Sequence, residues 1–317
     1  MSSLQHSPCS LLPTPIFLAG PTAVGKSEIA LRLAERLGGE IISADSMQVY
    51  QGLDLGTAKP SPAERARVPH HLIDICDLTE AFDAAQFIRR AQMAVEEIQS
   101  RGRVPIFCGG TGLYFKAFLS GLGEAPGTNP ELRAELESTS FETLLHELRE
   151  RDPAAYEKID KQNPRRVIRA LEVIRLTGKQ FSEQRAEWKI QNAKCKMQNC
   201  YCFTRASGDL HTRINARVDA MFARGLVEET RALLQHGLEQ NKTAMQAIGY
   251  RQVVEHLVGE RSLPETIELV KSRTRQFAKR QLTWFRRHGN MEWNELRPDE
   301  SLETVSQKIA EGVSKVA

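Results

Sequence analysis

Apolar and polar positions along the chain follow two rhythms, and these rhythms divide it. Ile16–Ala19 is a short continuous apolar run and predicts a buried strand. Ile29, Ala30, Leu33 and Leu37 then recur at helical spacing, and Gly38-Gly39 stops that helix. Glu40–Ala44 predicts a second strand that ends at Asp45, and His71–Ile75 is a candidate strand. Ala84–Gln99 predicts a helix with Phe87, Ile88, Ala91, Val95 and Ile98 on one face. Val104–Cys108 predicts a strand that runs into GGTGLY. Strand, helix and strand repeated with short links imply an α/β class with a parallel sheet covered on both faces.

Around Gly121–Pro130 the run LSGLGEAPGTNP breaks this pattern with Gly and Pro. From there to about Trp188 the periodicity is helical, with no strand-like alternation. Asn199–Phe203 reads as a strand again, and helices are expected from there to the C-terminus. The predicted organisation is a sheet-bearing core over 15–121 and 196–317, an all-helical inserted domain over 122–195, and a loose tail over 1–14.

Composition changes this picture little. The 317 residues are 41% hydrophobic and 26% charged, ordinary for a globular chain long enough for two domains. The net charge of +3 comes from 43 basic and 40 acidic residues, so partners must be sought in local clusters. Cys195, Cys200 and Cys202 lie close in sequence but form no CxxC pair and have no His at ligand spacing, so free thiols are expected rather than zinc. No apolar run reaches the ~18 residues of a membrane span, and the first residues lack a basic signal region. A cytoplasmic protein with no membrane association and no obligate protein partner is expected.

Candidate chemistry begins at GPTAVGKS, Gly20–Ser27, which has the P-loop spacing between a predicted strand and a predicted helix. Such a loop turns backbone amides inward around phosphate oxygens at a helix N-terminus. Lys26 adds a full charge, and the Ser27 hydroxyl is a candidate Mg²⁺ ligand. The spacing is specific for a phosphate but does not name the molecule. Asp45 in SADSMQVY sits at the C-terminal end of a strand, where ligands of parallel sheets bind. Mg²⁺ holder, general base and helix N-cap are equally open readings for it. GGTGLY, Gly109–Tyr114, places Thr111 between glycines at another strand end, and a tight turn explains the glycines alone.

Three basic stretches follow. In NPRRVIRALEV, Asn163 is a candidate N-cap and Pro164 suits the first helical position. Arg165, Arg166 and Arg169 put cations where the helix dipole disfavours them, which hints at an anionic partner. The run from Lys271 to His288 carries Lys271, Arg273, Arg275, Lys279, Arg280, Arg286 and Arg287 with no Asp or Glu, and Phe277, Trp284 and Phe285 are interleaved. Solvated helices usually mix signs, so this run fits a nucleic-acid backbone better. Arg213 and Arg217 are four apart on one helix face, facing either a phosphate or carboxylates.

GPTAVGKS, SADSMQVYQGLDLGTAKP, VPHHLIDI, GGTGLY, NPRRVIRALEV, AIGYRQ and TRQFAKRQLTWF occur here in order. Together they resemble the bacterial tRNA dimethylallyltransferases, or tRNA isopentenyltransferases, over about residues 15–290. The resemblance implies a P-loop kinase-like core with a helical insertion that grips the anticodon stem-loop of tRNA. It implies transfer of a dimethylallyl group from dimethylallyl diphosphate to N6 of the adenosine 3′ of the anticodon, with Mg²⁺ as cofactor. Asp45 is then the general base and Thr111 the hydroxyl at the bridging oxygen of the diphosphate. Gly20, Pro21, Thr22, Ala23, Val24, Gly25, Lys26, Ser27, Arg213 and Arg217 would hold the diphosphate, with Ser27 on the metal. The flipped base and its neighbours would meet Asp45, Ser46, Met47 and Gln48. Arg165, Arg166, Val167, Ile168 and Arg169 would lie on the stem-loop. From the core, Gln246, Ala247, Ile248, Gly249, Tyr250 and Arg251 would contact RNA, as would Lys279, Arg280, Gln281, Trp284 and Arg286. Ser27 stands where many members have Thr, which keeps the hydroxyl. The CxxC-bearing zinc finger of eukaryotic relatives has no counterpart in this sequence. Rival readings are a small-molecule kinase, a prenyltransferase of free adenine nucleotides, and a non-catalytic RNA-binding protein.

Overall fold

The computed structural model describes residues 13–121, 126–186, 199–288 and 290–314. Most of the expected N-terminal tail, with Cys9, and the third clustered thiol, Cys195, lie outside them. The chain separates into two compact units, one made of residues 1–116 and 195–317 and the other of residues 117–194.

The first unit is built on a six-stranded sheet in the order β3-β2-β4-β1-β5-β6, and every neighbouring pair is parallel. Its elements in chain order are β1 (Ile16–Ala19), α1 (Lys26–Leu37), β2 (Glu40–Ala44), α2 (Pro62–Arg67), β3 (His70–His71), α3 (Ala84–Ser100), β4 (Pro105–Gly109) and α4 (Gly112–Ser120). β1, β2 and β4 are buried along their whole length, which is why apolar residues dominate them, with buried Glu40 and Ser43 the polar exceptions in β2. Asp83 and Gln86 form a reciprocal cap on α3, so that helix begins where its apolar face does.

The second unit contains α5 (Pro130–Ser138), α6 (Phe141–Arg151), α7 (Pro153–Lys158), α8 (Pro164–Thr177) and α9 (Phe181–Ala186). Its core joins Leu136, Leu144, Leu148, Val167, Ile168, Leu171 and Ile174. Buried Asp152 caps α7 through the Ala155 N–H and accepts from the Ser182 amide and hydroxyl, which pins α9 to α7. The chain then returns to the sheet through β5 (Cys200–Thr204), α10 (Ser207–Ala223), α11 (Leu226–Gln235), α12 (Tyr250–Leu257), α13 (Leu263–His288), β6 (Glu292–Glu295) and α14 (Leu302–Ser314).

Two expectations are corrected. The candidate strand at His71–Ile75 is only His70–His71, because Leu72 and Asp74 take left-handed backbone angles of 61° and 55° that end the pairing. The all-helical reading after β5 misses β6, which pairs with β5 at the sheet edge. Its sequence EWNE is mostly exposed and carries no apolar run, so no periodicity announces it.

Candidate active site

Strand register places the functional loops side by side. Ala19 at the end of β1 is opposite Gly109 at the end of β4, and Gly109 is opposite Ala44 at the end of β2. The P-loop, Thr111 and Asp45 therefore leave the same sheet edge from three adjacent strands. Neighbouring strands are about 4.8 Å apart, so the P-loop strand and the Asp45 strand are separated by about 10 Å, with the Thr111 strand between them.

Cations surround the P-loop. Lys26 Nζ donates to the Pro21 carbonyl at 3.2 Å. Burial holds its ammonium below the ordinary lysine range; the Asp45 charge opposes that shift and Arg217 adds to it. Arg213 and Arg217 reach the loop from α10. Arg213 Nε donates to the Ala23 carbonyl at 3.0 Å, on a residue held at φ 64°, and Arg217 donates to Thr22 Oγ1 at 3.3 Å. The geometry thus turns this pair toward the loop. Burial, then the neighbouring Arg213, lowers the pKa of the Arg217 guanidinium. A loop that gathers three cations at the N-terminus of α1 is built for an anion of high charge. Cys108 and Cys202 flank Lys26, and burial pushes their thiols up to about 11 and about 12, so both remain protonated.

Two braces of this loop were not expected there: Arg205 lies in no quoted motif, and Gln281, expected to contact RNA, turns inward instead. Arg205, 6% exposed, donates from Nε to the Val24 carbonyl at 2.8 Å and pairs with Asp209 at 2.9 Å. Gln281 on α13 accepts from the Thr22 N–H at 2.9 Å and donates to the Gly110 carbonyl at 3.0 Å. α13 also explains two glycines of GGTG. A Cβ on Gly110 would lie 2.2 Å from Gln281 Nε2, and a Cβ on Gly112 would lie 2.1 Å from the Trp284 ring.

On the acceptor side, Asp45 Oδ1 accepts from the Met47 N–H at 2.9 Å. This closes a turn and leaves Oδ2 for another partner. Thr111 Oγ1 accepts from the Ser46 N–H at 3.1 Å, while its own hydrogen has only a long 3.5 Å contact with Ser46 Oγ. Its oxygen is held and its proton can be given. Gln48 lies between Ser43 Oγ at 2.9 Å and the Thr57 carbonyl at 3.1 Å, which fixes the segment after Asp45. Tyr114 stacks on Phe87 with centroids 4.1 Å apart, and burial followed by the Asp45 charge raises its pKa.

The segment Gln51–Pro60 is held from behind. Nearly inaccessible Lys59 binds the Tyr50 carbonyl at 2.6 Å and Asp54 at 2.8 Å, and it also pairs with Asp74. Tyr250 donates to Glu229 at 2.6 Å and accepts from the Gly56 N–H at 3.1 Å. Burial and then the Glu229 charge push the Tyr250 pKa above the ordinary tyrosine range.

The expected RNA-facing residues divide by exposure. Arg165 and Arg166 are exposed on the first turn of α8. Arg169 instead donates to fully buried Glu172 at 2.8 Å and to the Pro126 carbonyl at 2.6 Å. Part of the anomalous charge at this helix start thus neutralises a buried carboxylate. Asn163 occupies the cap position without a side-chain cap bond. Val167 and Ile168 are core residues of the helical unit, and Ala247, Gly249 and Tyr250 are buried in the sheet-bearing unit. Gln246 and Arg251 are exposed, and Ile248 is partly exposed. On α13, Lys271 pairs with Asp219 and Glu268, each at 2.8 Å, and Arg275 bonds Asn215 at 2.6 Å. Lys279, Arg280, Arg286 and Arg287 remain on the exposed face, with Trp284 partly exposed beside them. Gln281 is turned inward.

Among the described residues no group of three or more His, Cys, Asp or Glu is placed to hold a metal. Ser27 is exposed at the start of α1. A single hydroxyl completed by phosphate oxygens and water is the donor set Mg²⁺ accepts.

Residues 48–288 match the family described as IPP transferase. The chain is 46% identical over 299 residues to the tRNA dimethylallyltransferase of Geobacter sulfurreducens, covering 93% of this chain and 96% of that protein. It is similar in structure to the full-length tRNA isopentenylpyrophosphate transferase of Bacillus halodurans, with a TM-score of 0.68, 39% identity and coverage of 96% and 98% of the two chains. A eukaryotic dimethylallyltransferase solved acting on tRNA superposes with a TM-score of 0.80 at 30% identity, covering 96% of this chain and 79% of that one.

Proposed function

The chain belongs to the IPP transferase family, and from that premise we propose that it prenylates tRNA. The dimethylallyl group of dimethylallyl diphosphate passes to N6 of the adenosine next to the anticodon, and diphosphate is released. The observation that carries this reading is the lateral order at the sheet edge, which is cation-lined phosphate loop, Thr111 hydroxyl, Asp45 carboxylate. That is the order of a leaving group, the bond that breaks and a base beside the incoming amine.

The reaction forms a C–N bond and breaks a C–O bond. The adenine amine is a poor nucleophile because its lone pair is delocalised into the ring. Asp45 accepts the N6 proton as nitrogen attacks the first carbon of the dimethylallyl group, and such help is typically worth ~10²–10⁴-fold. Thr111 donates a hydrogen bond to the bridging oxygen, which takes the electrons of the breaking bond and leaves as part of the diphosphate. Lys26, Arg213, Arg217 and the loop amides stabilise the charge gathering on the diphosphate, usually the largest catalytic contribution. Mg²⁺, held by Ser27 and the phosphate oxygens, would supply further neutralisation of that charge. Exposed Lys279, Arg280 and Arg286 on α13 and Arg165 and Arg166 on α8 would meet the stem-loop phosphates.

Cytoplasmic placement belongs to the same reading. Cys76, Cys108, Cys200 and Cys202 form no disulfide among the described residues, and no described helix is long and apolar enough to cross a membrane.

Mass analysis of tRNA nucleosides after incubation with dimethylallyl diphosphate and Mg²⁺ tests the proposal. Prenylated adenosine in an anticodon stem-loop, and none on AMP, is the expected result. Robust transfer of the ATP γ-phosphoryl group to a small acceptor without tRNA prenylation would establish a kinase instead. Preference for AMP would remove the tRNA.

A further inference from the structure

α13 has two faces with different chemistry. The exposed one carries Lys279, Arg280, Arg286 and Arg287, and the buried one carries Ala278, Gln281 and Phe285. Gln281 is a polar residue among apolar neighbours, 7% exposed, and both ends of its amide are used. Oε1 accepts from Thr22 in the phosphate loop, and Nε2 donates to Gly110, the residue before Thr111. Thr111 in turn accepts from the Ser46 N–H, next to Asp45. One side chain therefore links the loop that holds the leaving group to the loop that holds the hydroxyl and the base. Only a carboxamide suits both ends. A carboxylate accepts but cannot donate, and an apolar chain leaves two buried backbone groups unpaired. Gly110 has no Cβ where the amide lies, so the two residues fit as a pair.

We infer that Gln281 is a positioning residue for the transfer step, setting the separation between the phosphate loop and the Thr111–Asp45 loop. This role rests on the prenyl-transfer reading of the same site. The side chain faces away from the exposed cations of its own helix, so its loss acts on the alignment of the reactants and not on RNA affinity. A misplacement of about 1 Å at a reacting centre lowers turnover by about 10²-fold.

The test uses the full chain with dimethylallyl diphosphate, Mg²⁺ and an anticodon stem-loop RNA. Gln281→Met, close in shape, should lower kcat by about 10²-fold while the RNA Kd stays within about twofold; the two unpaired backbone groups should lower the thermal midpoint without unfolding the chain at the assay temperature. Gln281→Glu keeps the acceptor for Thr22 but loses the donor to Gly110 and adds a negative charge near the diphosphate. It should lower kcat and also raise KM for dimethylallyl diphosphate. Gly110→Ala displaces the same amide and should repeat the kcat loss, and the double variant with Gln281→Met should lose no more than either single one. A loss confined to RNA Kd with kcat intact would make Gln281 a direct RNA contact and overturn the inference. Full turnover in both Gln281 variants would overturn it, and so would unfolding of both, which would make the residue a fold determinant. Absence of prenylation by the unsubstituted protein, by contrast, sinks the functional reading itself.

Discussion

At the scale of single residues, the roles of Asp45 and Lys26 separate most cleanly. Asp45 follows the end of β2, with one carboxylate oxygen engaged by Met47 and the other available. Asp45→Ala should lower kcat by at least ~10²-fold while the RNA Kd is retained, measured by single-turnover prenylation beside filter binding. Full activity in that variant would remove the base assignment. For Lys26, burial favours the neutral amine in the free protein, and a bound diphosphate favours the ammonium. Between the lowered free-state pKa and the ordinary lysine value, binding must therefore take up a proton. Diphosphate affinity should fall as pH rises through that alkaline window. Calorimetry in buffers of different ionisation enthalpy should show the uptake there, and affinity that does not change across the window would count against Lys26 as a phosphate ligand. The lysine was legible in the sequence because its spacing defines the loop. Arg205 was not legible, and Gln281 was singled out only as an RNA contact, since an arginine after β5 and a glutamine inside a basic helix acquire these partners only when distant segments meet the same loop.

At the scale of elements, α13 shows what a charge run in a sequence does and does not contain. The run from Lys271 to His288 contains no acids, but the acids that neutralise Lys271 sit at Glu268, one turn earlier, and Asp219 on α10. Of the earlier cations Lys271 and Arg275 are engaged within the protein, while Arg273 and the later cations are exposed. Lys279→Ala and Arg280→Ala should each weaken RNA binding and reduce the slope of log K against log salt by about 0.7–0.9. Lys271→Ala should leave that slope unchanged and lower stability only slightly, by about 0–1 kcal/mol for so weak a class of ion pair. A salt titration of all three variants checks this, and an equal slope change at Lys271 would place RNA along the whole helix. The same logic applies to α8, where the arginine stripe was visible but buried Glu172, the reason for Arg169, was not. β6 shows the opposite limit. A short exposed edge strand with charged residues has almost no periodic signal, and only its pairing with β5 identifies it.

At the scale of the whole molecule, the chain has two units with separate cores, and the proposed reaction gives them different tasks. The sheet-bearing unit brings the phosphate loop, Thr111 and Asp45 to one edge because β1, β4 and β2 are adjacent and end in register. The helical unit has exposed Arg165 and Arg166 at the start of α8, above a core that needs nothing from a ligand. Two ligands should therefore leave separate footprints in amide hydrogen exchange. Inorganic diphosphate with Mg²⁺ should protect Gly20–Ser27 and the Gly110–Thr111 turn. Binding to the native state alone stabilises by about 2.7 kcal/mol at a ligand concentration a hundred times Kd, so the global midpoint should rise as well. Stem-loop RNA without diphosphate should protect the first turn of α8 and the Lys279–Arg287 stretch of α13. Protection by RNA confined to α13 would leave the helical unit without its proposed role in gripping the stem-loop. Protection of the phosphate loop by RNA alone would show that the two substrates communicate before either reacts. Gln281, which touches that loop from the inner face of the basic helix, would be the first contact to examine for that coupling.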